Sequence, residues 1–380
     1  MRILHTSDWH LGRQFHGQSM EEDHAVILDQ VFKALIEHKP DVLIIAGDIF
    51  DRASPPRRAV SQFNEFVRRV ALNTATAIVL IAGNHDSGDR IDAMSLMADT
   101  GRALIRGPLV ADEKPLILDD EFGPVAFSAL PFGYEYEARE CFGRDDISCP
   151  ADVMREQVAS AKANVPDNAR WVIVAHAFVV GASPSDSERK LARVVGGIET
   201  VPSEVFDGAH YVALGHLHRP QIAGSKHIRY SGSPLAFGFD EHDHDKSMTL
   251  VDIDGSGDCT VSELALVPKR RVRVLRGKLE ELLASGKPSE DFIKIVLTNE
   301  SRLIDPMKQI RSLYPNASAL IYERQEKEQK AGDIELVTTA LTRPEDVISS
   351  FLTHVRGDPQ NDEERALVKQ ELTHLKTEES

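Results

Sequence analysis

The sequence predicts an α/β protein built on a parallel sheet, and three observations carry that expectation. Asp41–Ala46 and Ala77–Ile81 are short apolar runs that read as buried strands. Segments with helical spacing separate the strands: Val26, Ile27, Val31, Leu35 and Ile36, then Val60, Phe63, Phe66, Val67 and Val70. A strand–helix–strand–helix–strand order implies right-handed crossovers and parallel pairing. Third, five polar clusters each follow an apolar strand, at the carboxyl end where open α/β sheets bind ligands.

Taken in order, Met1–Leu4 forms a strand that delivers Thr6-Ser7-Asp8-Trp9-His10. A helix over Glu21–Glu37 stops at Pro40. The next strand runs into Gly47-Asp48-Ile49-Phe50-Asp51, and Ser54-Pro55-Pro56 signals a second helix. The Ala77–Ile81 strand ends in Ala82-Gly83-Asn84-His85-Asp86. A short helix is expected at Met94–Ala98, strands at Leu116–Leu118 and Val125–Leu130, and a helix over Asp152–Val165. Strands ending at His176 and at Gly215-His216-Leu217-His218 follow, with a polar loop at Ser183–Arg193 between them. Strands at Ile228–Tyr230 and Met248–Ile253 come next. Leu266-Val267-Pro268 marks a boundary, so residues 1–267 form one domain and 268–324 a small β-α-β-α-β unit. Residues 325–342 read as a charged linker. Residues 343–380 form a helical tail with Val347, Ile348, Phe351, Leu352 and Val355 on one stripe and Val368, Leu372 and Leu375 on another.

With 42% hydrophobic and 27% charged residues the chain has the composition of an ordinary globular protein. No apolar run reaches the length of a membrane span, and His5, Ser7 and Asp8 interrupt any leader-like start. Cys141, Cys149 and Cys259 form no CxxC pair, which points to a reducing cytoplasm. A net charge of −16 argues against nucleic-acid partners, since phosphate contacts need Lys and Arg. Two features oppose that exclusion. Bound divalent metals reverse the field locally. The cations also cluster, at Arg52/Arg57/Arg58, Arg68/Arg69 and Lys269–Arg276, although such clusters are often solvated faces.

The five clusters suit oxygen- and nitrogen-loving metals. Asp8 and His10 lie two apart, so an extended backbone aims both one way, and His216 and His218 repeat the spacing. Asp48 directly follows its strand and is a natural bridging carboxylate. Asn84 offers a carbonyl oxygen, with Gly83 permitting the turn, and His176 adds an imidazole. Two metals roughly 3.5–4 Å apart clamp an in-line phosphoryl displacement and activate water. His85 is left over and is the candidate acid for the leaving oxygen, with Asp51 expected to hydrogen-bond it and set its tautomer. His242 and His244 look metal-like but read as a solvated loop.

DxH, GDxFD, GNHD, a strand-end His and GHxH in this order resemble the calcineurin-like metallophosphoesterases. Stretches 1–13, 46–56 and 230–241 resemble the DNA-nuclease members of that family. The resemblance implies a four-layer αββα sandwich with a small α/β cap and a helical tail that docks on a partner. It implies two Mn²⁺ ions, with Mg²⁺ as a substitute: Asp8, His10, Asp48 and His218 at one, Asp48, Asn84, His176 and His216 at the other. It further implies exonuclease action on double-strand ends, endonuclease action on hairpins and single strands, an ATPase partner and a homodimer. Asp51 is a departure, because archaeal and eukaryotic relatives tend to carry His there and phosphatases of the family carry Asp. A phosphatase or cyclic-nucleotide phosphodiesterase would use the same metals, and a decayed, non-catalytic scaffold is the third reading.

Overall fold

The computed structural model describes residues 1–95, 101–185, 187–188, 200–323, 361 and 364–368. Its elements begin with β1 (Arg2–Thr6), β2 (Gln14–Phe15), β3 (Gln18–Ser19), α1 (Glu21–His38), β4 (Val42–Ala46), α2 (Arg57–Asn73), β5 (Ala77–Ile81), α3 (Gly88–Asp92) and β6 (Ala103–Arg106). Next come β7 (Leu116–Asp120), β8 (Gly123–Leu130), α4 (Glu135–Phe142), α5 (Pro150–Lys162), β9 (Arg170–His176), β10 (Tyr211–Gly215), β11 (Gln221–Ala223) and β12 (Ser225–Tyr230). The chain continues through β13 (Ser247–Ile253), β14 (Cys259–Ala265), β15 (Val272–Gly277), α6 (Leu279–Ser285), β16 (Phe292–Leu297), α7 (Pro306–Ile310) and β17 (Ala317–Tyr322).

Two six-stranded sheets carry the site. The first has the order β14-β13-β1-β4-β5-β6, with β1, β4, β5 and β6 parallel and β13 antiparallel to β1. The second is β11-β12-β10-β9-β8-β7, with β8, β9, β10 and β12 parallel and antiparallel strands at both edges. The period of two along each buried strand decides the layering. Ile3, Val42, Ile44, Val79 and Ile81 share a core with Phe127, Ala129, Val172, Val174 and Ala213 of the second sheet. Their neighbours Leu4, Leu43, Ile45 and Leu80 pack instead on Ile27, Val31 and Leu35 of α1 and on Phe63, Phe66 and Val70 of α2. On the far side Trp171, Ile173, Ala175, Val212 and Leu214 pack on Met154, Val158 and Ala161 of α5. The result is an αββα sandwich. Both faces of each central strand are covered, which is why those strands read as unbroken apolar runs. A one-residue slip would exchange the two cores, so register is strongly held.

Helix ends follow local chemistry. α1 stops where Lys39 turns left-handed (φ 47°) and its N–H returns to Leu35 O, just before Pro40. The short helix α3 (Gly88–Asp92) starts where the Ser87 hydroxyl accepts the Arg90 N–H. Of the helix expected at Met94–Ala98, only Met94 and Ser95 are among the described residues. Residues 96–98 lie outside the described residues, as do the linker 325–342, the tail helix 344–355 and most of 362–376. Within that last stretch, 364–368 is helical.

Two compact units divide the chain: 1–275 with 285–295 and 305–319, and 276–284 with 296–304 and 320–380. Most of the cationic clusters are paired with carboxylates. Lys269 pairs with Glu22, Arg270 with Asp23, Arg273 with Asp291 (3.2 Å) and Arg276 with Glu323 (2.8 Å). Arg58, Arg68 and Arg69 are likewise paired, with Glu21, Glu65 and Asp29. Among the described residues, no helix is long and apolar enough to cross a membrane.

Candidate metal centre

All five polar clusters meet at the carboxyl ends of β1, β4, β5, β9 and β10. Loops 8–11 and 47–49 are zipped together: Asp8 N–H donates to Gly47 O, His10 N–H to Asp48 O and Leu11 N–H to Ile49 O. Asp8, His10, Asp48 and His216 all sit at positive φ, 53°, 47°, 48° and 107°. The extended backbone expected for the two i, i+2 pairs is therefore wrong. Left-handed turns aim these side chains inward, and a non-glycine residue tolerates such turns only where the surroundings enforce them. The close approach also requires glycine. At Gly47 (φ 87°) a Cβ would fall on the His176 ring, and at Gly83 it would fall on Asp48.

Asp8, His10, Asp48, His176, His216 and His218 are all buried, and they converge. Ligand atoms of Asp8, His10 and His218 lie within 4.8 Å of one another, as do those of Asp8, Asp48 and His176. Asp48 Oδ2 is 3.6 Å from His10 Nε2 and 3.6 Å from His176 Nε2, between the two sets. Asn84 Oδ1 lies 3.0 Å from His176 Nε2 and 3.1 Å from His216 Nδ1. The His176 Nδ1–H donates to Ala46 O (2.9 Å), so its Nε2 lone pair faces the Asn84 oxygen. Two acceptors aimed at one point suit a cation.

Other observations fit divalent metal. Both ring nitrogens of His10 are buried without a hydrogen-bond partner. Burial, then His218 and His85, hold the His10 pKa well below its usual value, and burial with His176 does the same for His216. Neutral imidazoles are ligating imidazoles. Burial and the Asp48 charge push Asp8 well above the ordinary carboxylate range. Two carboxylates crowded in a dry pocket need positive charge.

Supporting residues lay beyond the reach of sequence reasoning. His218 Nδ1–H donates to Glu241 Oε1 (2.9 Å), and Lys246 Nζ holds the other Glu241 oxygen (2.5 Å). Burial raises the Glu241 pKa, but Lys246 and His218 outweigh it and hold the carboxyl well below its usual range. A charged carboxylate behind a histidine fixes its tautomer and leaves Nε2 free for metal. Glu188 accepts the His218 N–H (2.6 Å), so part of the expected polar loop is buried support. The Asp86 carboxylate accepts N–H bonds from Gly83, Ile49 and Phe50 (3.0, 3.0 and 2.9 Å), tying the GNHD and GDIFD loops together. Burial and Asp48 push its pKa up to about 7 against these donors. Glu241→Gln should loosen one metal about 10–100-fold, because the amide no longer charges the histidine behind it. Titration of the metal-free protein, followed by calorimetry, checks this; unchanged affinity at both sites refutes it.

His85 and Asp51 meet, but not as expected. His85 Nδ1 bonds the Asp51 main-chain carbonyl (2.9 Å), and a carbonyl only accepts, so Nδ1 carries a proton. The Asp51 carboxylate turns instead to Arg13 Nη1 (3.0 Å). Arg13 lies over the Phe237 ring (5.0 Å), and that ring packs edge-on against His10 and His218. Arg13 is thus a half-buried cation beside the candidate ligands. His242 and His244 stand apart from this cluster: the metal-holding groups among the described residues include neither.

A strand-end cage of this composition, on an αββα sandwich, defines a class. The family profile described as calcineurin-like phosphoesterase matches residues 1–220, and the chain belongs to that family. A second profile, described as the type 5 capsule protein repressor C-terminal domain and labelled SbcD_C, matches residues 268–356. The chain is 30% identical over 323 residues to SbcD of Staphylococcus epidermidis, a component of the nuclease SbcCD, covering 84% of this chain and 85% of that one. It belongs with the SbcD proteins. A solved structure described as GAP50, the anchor in the inner membrane complex of Plasmodium, aligns with 84% of this chain and 96% of its own at 8% identity, with a TM-score of 0.37. That likeness carries no argument.

Proposed function

We propose that this chain is a metal-dependent DNA nuclease, the SbcD component of an SbcC–SbcD-type complex. The single observation that carries the reading is the convergence of Asp8, His10, Asp48, His176 and His218 in a buried cluster able to hold metal, in a chain whose relative belongs to a nuclease. The reading includes exonuclease action on double-strand ends and endonuclease action on hairpins and single strands, in repair, recombination and replication. It includes an SbcC-type ATPase partner, a homodimer, a cytoplasmic setting and Mn²⁺ as the preferred metal. Asp8, His10, Asp48 and His218 would hold one ion, and Asp48, Asn84, His176 and His216 the other. The apolar stripes of the tail, 344–355 and 362–376, are the proposed docking surface for the ATPase. A phosphatase or small cyclic-nucleotide phosphodiesterase is not favoured, since the C-terminal profile matches a part such enzymes do not need.

When bound, such ions polarise the phosphate and lower the pKa of water. This chain's own residues do the rest. As an imidazolium, His85 would keep its Nδ1–H on Asp51 O and offer its Nε2–H to the leaving oxygen, returning to the neutral Nδ1–H tautomer. Arg13, pinned by Asp51, supplies a charged donor to a substrate phosphate. Asp51→Asn should therefore act through Arg13: KM for DNA rises and the pH–rate profile keeps its shape. A moved pH limb with unchanged KM would return Asp51 to His85. The functional test is cleavage of linear and hairpin DNA with Mn²⁺ compared with a small aryl phosphodiester. Hydrolysis of the small ester with no DNA cutting would refute the nuclease reading.

A further inference from the structure

The described surface beside the metal centre carries aromatic rings that neither core nor catalysis uses. After β8 the chain runs Phe132-Gly133-Tyr134-Glu135-Tyr136 into α4. Phe132 is tied to the site by its N–H, which donates to Ala82 O next to Gly83-Asn84 (3.0 Å). Its ring lies edge-on to the His176 imidazole, with centroids 6.5 Å apart. Tyr134 meets Phe132 edge-on at 5.0 Å, and Tyr136 lies nearly parallel to Tyr134, 13° apart at 5.6 Å. The rings thus form a ladder that starts at a candidate ligand and ends in solvent, where Tyr134 is 43% and Tyr136 59% exposed.

The ladder is held rigidly. Ala138 and Phe142 anchor α4 against Ile147 and Val153, and Glu137 closes its first turn by accepting the Tyr134 N–H (2.9 Å) and the Tyr136 hydroxyl (3.1 Å). Exposed parallel rings are open π faces that hydrophobic burial leaves unused. Nucleobases stack on such faces whatever their sequence, and do so only when unpaired, because a duplex has already stacked them. The carboxylates of Glu135, Glu137 and Glu140 repel phosphates from α4. A strand would therefore keep its sugar–phosphate chain on the metal side and turn its bases onto the rings.

We infer that Phe132, Tyr134 and Tyr136 form a stacking platform that feeds unpaired nucleotides of a DNA strand into the metal centre. The inference rests on the nuclease reading and deepens it by assigning residues to unpaired substrates. The test uses the full chain with Ca²⁺ supplied so that DNA is bound and not cut. Anisotropy measures affinity for an oligothymidylate, an abasic strand of equal length and a blunt duplex. Tyr136→Ala and Tyr134→Ala should each weaken the oligothymidylate about 5- to 100-fold, the equivalent of one lost stacking partner. The abasic strand and duplex, bound through phosphates, should change less than about twofold. Tyr136→Phe and Tyr134→Phe should restore binding, with melting temperatures matching the parent in all variants. Alanine variants that bind oligothymidylate like the parent, or that weaken on all three ligands equally, overturn the platform. If the parent cuts DNA and the alanine variants are indistinguishable from it, the platform alone falls. If the parent binds none of the three, the nuclease reading falls with it.

Discussion

Asp48→Asn should leave a folded protein that holds neither metal properly and turns over no DNA. The carboxylate stands between the two donor sets, 3.6 Å from a ring nitrogen of each, and its second oxygen accepts the His85 N–H (2.8 Å). An amide oxygen can keep the His85 bond, so the loop survives. The amide nitrogen then occupies the bridging position, and it carries hydrogens where a metal needs a lone pair. Elemental analysis of dialysed protein should show both ions depleted, with turnover below detection. Two tightly held ions and near-normal cutting would remove Asp48 from the centre of the scheme. Asn is a sharper test than Ala, which would also release the His85 backbone.

His85→Ala should keep both metals and lose about 10²–10⁴ in rate, the usual contribution of a positioned acid. His85 approaches the cluster through its ring, 4.7 Å from that of His10, while its Nδ1 is committed elsewhere. Although His85 lies with His10 and Asp51 in a group that could hold a metal, in the proposed scheme it is the acid, so its removal should cost the Nε2–H donor and leave the seven assigned ligands in place. Metal content should match the parent, and binding of uncut DNA should be close to normal. The loss should shrink with substrates whose leaving group needs no proton, such as a nitrophenyl diester. A His85→Ala protein that loses metal, or is slowed equally on both substrates, makes His85 a ligand or a structural residue instead.

Much of this architecture was legible in sequence because burial writes itself as pattern. Val42–Ala46 and Ala77–Ile81 are apolar on both faces because two cores cover them, and α1 and α2 show a single stripe because one core does. The seven candidate ligands are visible because each belongs to a polar cluster, of carboxylate, imidazole or amide, that follows a greasy strand. Glu241 and Glu188 gave no such signal. They sit in polar loops and reach His218 only through the fold, 23 and 30 residues away in sequence. The geometry at Asp8 and His10 departs from the extended expectation for a related reason. Left-handed backbone at Asp or His leaves little trace in composition, since the surrounding loops impose it. The cationic clusters stay ambiguous in sequence, which shows the arginines but not the carboxylates that fold back on them.

The strand order also carries a meaning for a chain still being made. β1 is paired on one side with β4 and on the other with β13, Arg2 facing Asp252. Of the strands in this sheet β1 is made before the others, and it waits for β13, almost the last strand of the sandwich, before its sheet closes. The donor set is split in the same way: Asp8, His10, Asp48 and Asn84 come early, and His176, His216 and His218 late. At translation rates of about 5–20 residues per second, roughly 10–40 s separate Asp8 from His218. An unfinished or prematurely released chain carries the carboxylates without the imidazoles that complete the cage. A polypeptide capable of cutting DNA thus becomes competent only once nearly its whole sandwich exists, a safeguard set by topology.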